Sequence, residues 1–251
     1  QYAALALIAA LAAPLALSAA ASYPFDPSVE KGAVTLTFDD ANSSMADFIF
    51  PLMDAASQKG VLYVPTGFVG DEGYLTWEQI TARSDSGWEI GGHSVNHLEL
   101  PEVSATTMQF EINQCVADLA AFGITNTSFA LPFGAYDNKT IAAIAKVFNA
   151  NRAFHNQGLN RWPYNKYLLY VRYVTNQTTV AEVQAWVDEA MAKGQWLIVV
   201  FHEVLPVVDP DDTYSWRTDQ LEAFLAYLNA QGIKANTIQE ALAPFRNTLP
   251  N

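Results

Sequence analysis

The chain has 251 residues, of which 51% are hydrophobic and 12% aromatic, enough to bury one large core or two small ones. A formal charge of −13 rules against a nucleic-acid backbone or an anionic membrane surface as partner, since both demand clustered Lys and Arg. The single cysteine, Cys115, excludes an intramolecular disulfide and, at helical spacing with Leu119, reads as a buried structural thiol.

Residues 1–21 carry no charge and end in Ala19-Ala-Ala21, a small-residue cleavage pattern after an apolar run. They are expected to be a secretory signal and to stand apart from the folded part, residues 22–251. The length also permits a membrane anchor. Pro14 and the small-residue end favour cleavage, which places the chain outside the cytosol, secreted or at the cell wall, with no stable membrane association. Four Asn-x-Ser/Thr sequons, at Asn42, Asn126, Asn138 and Asn176, allow glycosylation.

After a Pro-containing lead-in over Ser22 to Lys31, Val34 to Phe38 has the length and β-branched character of a buried strand, and it runs straight into Asp39-Asp40. Met45, Phe48, Ile49, Leu52 and Ala56 lie at helical spacing, with Gly60 as the stop. A second strand is expected over Val61 to Phe68, a helix with Thr76 as cap, and a glycine-broken third strand from Gly87 to Ser94. Ser104 to Phe122 is the longest helical pattern, ended by Gly123; Ser128 to Gly134 reads as a fourth strand and Lys139 to Phe148 as a helix. Tyr167 to Val174 is a strand, Val180 to Lys193 a helix ended by Gly194, and Trp196 to His202 the most apolar strand of all. Thr218 to Ala230 is a helix stopped by Gly232, followed by a last strand over Ile233 to Ile238 and a short terminal helix. Strand and helix thus alternate about seven times without a linker. That predicts a single α/β domain with a parallel sheet, closer to a (β/α) barrel, regular or distorted, than to an open sheet.

The polar residues gather where strands end, the edge at which parallel α/β folds build active sites. Asp39 and Asp40 point to opposite faces of a regular strand and converge only if the strand bends at its end. Two carboxylates held together there require a cation, a proton or donors; a turn or helix cap is the plain alternative. His93 and His97 are spaced so that a helical turn brings both to one ion. With one of the two carboxylates they compose a site of two imidazoles and one carboxylate, leaving room for water as in catalytic zinc centres. His202 ends its strand at the same edge. Glu203 either orients it or is solvated, and His155 has no partner in sequence. Tyr74, Trp77, Trp162, Tyr164 and Trp216 are the aromatics considered for stacking on sugars, most being expected in the core.

These residues together resemble the polysaccharide deacetylases of carbohydrate esterase family four. Thr37-Phe-Asp-Asp40 resembles the first family motif, Glu89-Ile-Gly-Gly-His-Ser-Val-Asn-His97 the second, Phe129-Ala-Leu-Pro-Phe-Gly134 the third, and Leu197 to His202 the last. The resemblance runs in order from about Gly32 to Leu242. It implies a distorted (β/α) barrel, Asp39 as general base and His202 as general acid. It also implies Asp40, His93 and His97 as ligands of a divalent metal, zinc first, with cobalt or nickel fitting the same donors. Pro132 and Phe133 are implied to form a substrate wall, with the Phe133 N–H on the oxyanion, and Leu197 to line the acetyl pocket. The implied partner is a polysaccharide or oligosaccharide containing N-acetylglucosamine (chitin, chitooligosaccharide or peptidoglycan-like), attacked by a monomer. An O-acetyl xylan esterase and a catalytically silent carbohydrate-binding relative are the alternatives.

Two positions depart from the family pattern. Ala130 stands where the third motif carries an Arg that steadies the base, and no Asp between Asn138 and Val187 is available to orient the acid. Arg152, Arg161 and Trp162 are the candidates to fill these roles.

Overall fold

In β1 (Ala33–Phe38), Val34, Leu36 and Phe38 face one way and Thr35 and Thr37 the other, yet all five are fully buried. A strand without a wet face belongs inside a sheet covered on both sides. The computed structural model, which describes residues 32–125 and 127–243, shows how both sides are covered. The signal segment expected at residues 1–21, the lead-in to Lys31 and the sequon at Asn126 lie outside the described residues.

Seven parallel strands close into a barrel in chain order: β1, β2 (Val61–Val64), β3 (Glu89–Gly92), β4 (Ser128–Ala130), β5 (Ala150–Gln157), β6 (Leu169–Tyr173) and β7 (Trp196–Phe201). Closure is made by β7 on β1, in register from Ala33 opposite Trp196 to Phe38 opposite Phe201. Around it lie α1 (Phe50–Ala55), α2 (Trp77–Asp85), α3 (Ala105–Ala121), α4 (Asn138–Ile144), α5 (Val180–Lys193) and α6 (Thr218–Ala230), with α7 (Ile238–Leu242) last among the described residues. The expected (β/α) barrel is what the chain forms. Among the described residues no helix is long and apolar enough to cross a membrane.

Strand alternation separates two cores. Outward residues such as Leu36, Phe129, Leu197, Val199 and Phe201 pack with the helices, whereas Val61, Tyr63, Ala130, Ala150, Val171, Trp196, Ile198 and Val200 fill the barrel. α7 supplies Ile238, Ala241 and Leu242 to that inner cluster and so plugs the N-terminal end. Capping boxes at Thr76, Thr179 and Thr237 start α2, α5 and α7 by satisfying orphan backbone donors.

Several elements differ from expectation. Ala150–Gln157 is a strand, although its sequence gave no apolar run: its inner positions include Arg152, and both Asn151 and Arg152 are buried. Ile233 to Ile238 is not a strand. β1 already has a strand on each edge, and the segment contributes a single sheet-like bond, from the Asn236 N–H to the Val34 carbonyl at 2.8 Å, before α7 begins. The helix expected between Asn42 and Gly60 starts as a π-turn over Met45–Ile49 and is α-helical only from Phe50. Two short strands, β8 (Glu203–Leu205) and β9 (Ser215–Arg217), pair parallel beside the end of β7 and were not expected. Trp216, read as a candidate for sugar stacking, is core: its ring lies against Phe201 and Phe224, and its indole N–H donates to the Thr178 carbonyl.

The barrel floor is polar. Glu89 accepts from the Ser128 N–H and hydroxyl, the Thr127 hydroxyl and the Gln239 N–H, and Ser128 bonds the Tyr63 hydroxyl at 2.8 Å. Burial pushes the Glu89 carboxyl up, and these donors offset only part of the shift. The folded state therefore holds the proton more tightly than the unfolded chain. Its contribution to stability is complete below about 4.5 and is lost as pH rises through the raised value. The stability advantage of wild type over Glu89→Gln, measured by urea unfolding, is expected to shrink as pH is raised from that point.

Above the floor lies the Tyr63 ring, and Gly91 on the neighbouring strand makes room for it. A Cβ at Gly91 would stand 2.4 Å from Tyr63 Cε1. Gly91→Ala is expected to destabilise the fold by about 1–3 kcal/mol through overpacking, checked by thermal unfolding. A shift below about 0.5 kcal/mol would show that Tyr63 can move.

Candidate metal centre and active site

Asp39 continues the inward series of Thr35 and Thr37, and its N–H donates to the Phe201 carbonyl, extending the β1–β7 ladder by one residue. Asp40 should point outward, but its φ of 74° and that of 54° at Ala41 turn the chain and return the second carboxylate to the same site. This is the bend that convergence of the two acids requires. His93 is inward on the end of β3. Ser94 and His97 have φ of 62° and 52°, and Phe133, in the turn after β4, has 55°. Of the six non-glycine residues with positive φ among the described residues, five lie at this rim, so backbone strain of order 1–3 kcal/mol per residue is concentrated there.

Asp40, His93 and His97 meet at one point. His93 Nε2 and His97 Nε2 are 3.2 Å apart, and each stands 3.4 Å from Asp40 Oδ1. His93 Nδ1 lies 2.8 Å from the Ala130 carbonyl, which can only accept, so Nδ1 carries the proton and Nε2 turns its lone pair into the cluster. Burial, with the neighbouring His93, pulls His97 down to about 4, leaving it neutral near pH 7. Burial alone would raise the Asp40 carboxyl, but the His93 hydrogen bond and the charges of His93, His202 and His97 hold it well below the usual range. In their deprotonated forms two imidazoles and a carboxylate are the donor set that takes up a cation. Bonds of about 2.0–2.1 Å to a tetrahedral ion space donors by about 3.3 Å, the spacing found here, so these residues fit a divalent metal.

Beside this cluster Asp39, only 2% exposed, has one oxygen paired with the Arg152 guanidinium. Its other oxygen, Oδ1, has no hydrogen-bond partner among the described residues. Arg152 comes from β5, directly opposite Ala130 in register, and its guanidinium lies 4.9 Å above the Tyr63 ring. An arginine side chain thus enters the barrel one strand away from the alanine of the third motif. Arg161 instead lines a separate cavity of about 420 Å³ with Tyr136, Tyr164 and Tyr170.

His202 follows β7 with Nε2 3.8 Å from Asp39 Oδ2. Burial pulls it below the ordinary imidazole value, and the Asp39 and Asp40 charges work against that. Its Nδ1 has no hydrogen-bond partner among the described residues, so Glu203 does not orient it. The rings packed on His202 are Tyr214 at 5.1 Å and, edge-on, Phe154 at 5.8 Å. Trp162 packs against Tyr164, whose ring meets Trp196 at the opposite end of β7. Pro132 is buried, whereas the Phe133 ring is half exposed and stands edge-on to His97 at 4.7 Å.

Leu197 is placed differently from its expectation. It lies five residues before His202, about 16 Å along a strand, and faces the outer helix layer rather than the barrel. Val200, two residues before His202 and on its side of the strand, is the inward aliphatic nearest to it in the sequence of β7.

The polysaccharide deacetylase family model matches residues 26–150. YxkH of Bacillus subtilis (strain 168), named as a polysaccharide deacetylase, is 26% identical over 116 residues, 45% of this chain and 41% of its own length. The chain therefore spans about two fifths of the curated relative it matches. Among solved structures, a family 4 acetyl xylan esterase from Clostridium thermocellum in complex with a cobalt ion superposes with a TM-score of 0.59 at 21% identity, over 84% of this chain and 91% of that one. A T48 deacetylase with substrate gives 0.58 at 14% identity, over 85% and 92%. At such identities the likeness establishes the fold.

Proposed function

Because the chain belongs to the polysaccharide deacetylase family, we propose that it is a metal-dependent hydrolase that removes acetyl groups from a polysaccharide, with N-acetylglucosamine polymers as the leading substrate class. The observation that carries this reading is the triangle of Asp40, His93 and His97 donors beside a buried carboxylate with one unbonded oxygen.

Asp40, His93 and His97 would hold the cation, zinc by donor type, with cobalt or nickel fitting as well. Such a cation, when bound, acidifies water and polarises an acyl carbonyl. Asp39 takes the proton of the attacking water at the oxygen left free by Arg152. The Phe133 N–H stabilises the developing oxyanion, an effect worth roughly 2.7–4 kcal/mol in comparable sites. His202 gives a proton to the departing nitrogen, which leaves as an amine while acetate is released; amines leave poorly otherwise. Dialysis against a chelator is expected to abolish acetate release and added zinc or cobalt to restore it. Full activity in the chelated protein would defeat this reading.

The competing substrate is O-acetylated xylan, favoured by the likeness to the Clostridium thermocellum esterase and to the Xyl-CE4 domain of a xylanase from the hindgut metagenome of Trinervitermes trinervoides, with a TM-score of 0.58 at 16% identity over 85% of this chain and 91% of that one. Against a silent sugar-binding domain stands the Asp39–Arg152 pair, which gives the base a partner despite Ala130. Secretion and a monomeric state belong to the same proposal, the first supported by the uncharged run over residues 1–21.

A further inference from the structure

Glu111, on the inner face of α3, is a buried carboxylate with no part in the chemistry above. Its Oε2 accepts from the Val95 N–H at 2.9 Å and the Asn96 N–H at 2.7 Å, and its Oε1 from the Asn96 amide at 2.6 Å. Both backbone donors lie in the loop between His93 and His97. The carbonyls of the same loop are taken from the other side. Thr66 N–H donates to Ser94 and Gly67 N–H to Val95, and the Thr66 hydroxyl is tied to Asp118, also on α3.

The two imidazoles are anchored differently. His93 is fixed by β3 and by the Ala130 carbonyl. His97, at φ 52°, depends on the loop that carries it and on the ring of Phe133. The loop passes through positive φ at Ser94 as well, so its conformation must be imposed from outside. We propose that Glu111 is a positioning residue that presets the loop and thereby brings His97 Nε2 to the donor triangle. The proposal rests on the metal-site reading given above.

The test is cobalt(II) titration of the folded apo-protein, followed by the absorption of the bound ion, with thermal unfolding as a control for the fold. Glu111→Met removes the acceptor of both backbone N–H groups and is expected to bind cobalt at least about tenfold more weakly, the lower end of the effect of outer partners on metal sites. Glu111→Gln keeps one oxygen for the two N–H groups, and Asn96 can turn its amide to match the other end. Its affinity should stay at least about tenfold above that of Glu111→Met. A folded Glu111→Met that binds as tightly as wild type overturns the proposal. If that variant does not fold, Glu111→Asp decides: it keeps the charge but is one methylene short of the loop, and wild-type affinity there overturns the proposal equally. Failure of the wild type itself to bind cobalt overturns the metal-site reading and this inference with it. Tight wild-type binding with indifferent variants removes only the role of Glu111.

Discussion

Asp39→Asn is expected to lower kcat for acetyl hydrolysis by about 10²–10⁴-fold, the range of a general base that can no longer take a proton, with little change in KM. The variant keeps an oxygen for Arg152 and leaves Asp40, His93 and His97 in place, so metal affinity and fold should be largely retained. That combination separates loss of the base from loss of the site. Steady-state kinetics beside a cobalt titration checks it, and a kcat within a few-fold of wild type would remove Asp39 from the chemistry.

Arg152→Ala is expected to act on stability and rate together. Breaking a buried ion pair by removing one partner typically costs about 3–5 kcal/mol, because the other charge stays buried without compensation. Asp39 is that charge, and its orientation relies on the guanidinium held over Tyr63. The register offers a rescue. Ala130 and Arg152 are partners on adjacent strands and both face the barrel interior, so Arg152→Ala combined with Ala130→Arg returns an arginine to nearly the same space. The double variant should recover kcat at least about tenfold over Arg152→Ala, a coupling of about 1.4 kcal/mol, within the range of contacting pairs. Equal rates for the single and double variants would mean that the departure at Ala130 is not compensated from β5.

Much of the site was legible in the sequence because strand ends write it in contiguous letters. Asp39-Asp40, His93 with His97, and His202 are each close to an apolar run, and parallel alternation assigns all of them to one edge. What could not be read there is what depends on neighbours across the barrel. Arg152 sits in a strand whose inner position is a charged residue, so no apolar period announces it; only the pairing with Ala130 shows where its side chain goes. Glu111 lies in a helix whose sequence offers no sign that a loop of two amides needs an acceptor. Leu197 was assigned to the acetyl pocket from the last family motif, although alternation from His202 sends odd-numbered residues of β7 outward. That signal was available: counting back by twos gives Val200. The error at Ile233 to Ile238 has a different source, since an apolar segment cannot tell from its own sequence that both edges of β1 are occupied.

Acetate release from chitin oligomers and from acetylated xylan, with zinc or cobalt supplied and then chelated, tests the central claim most directly, with the Asp39→Asn protein as control. The account predicts metal-dependent release from the oligomers that falls by at least about a hundredfold in the variant. Release from xylan alone would keep the mechanism and move the substrate. Release that survives both chelation and the loss of Asp39 would contradict the account.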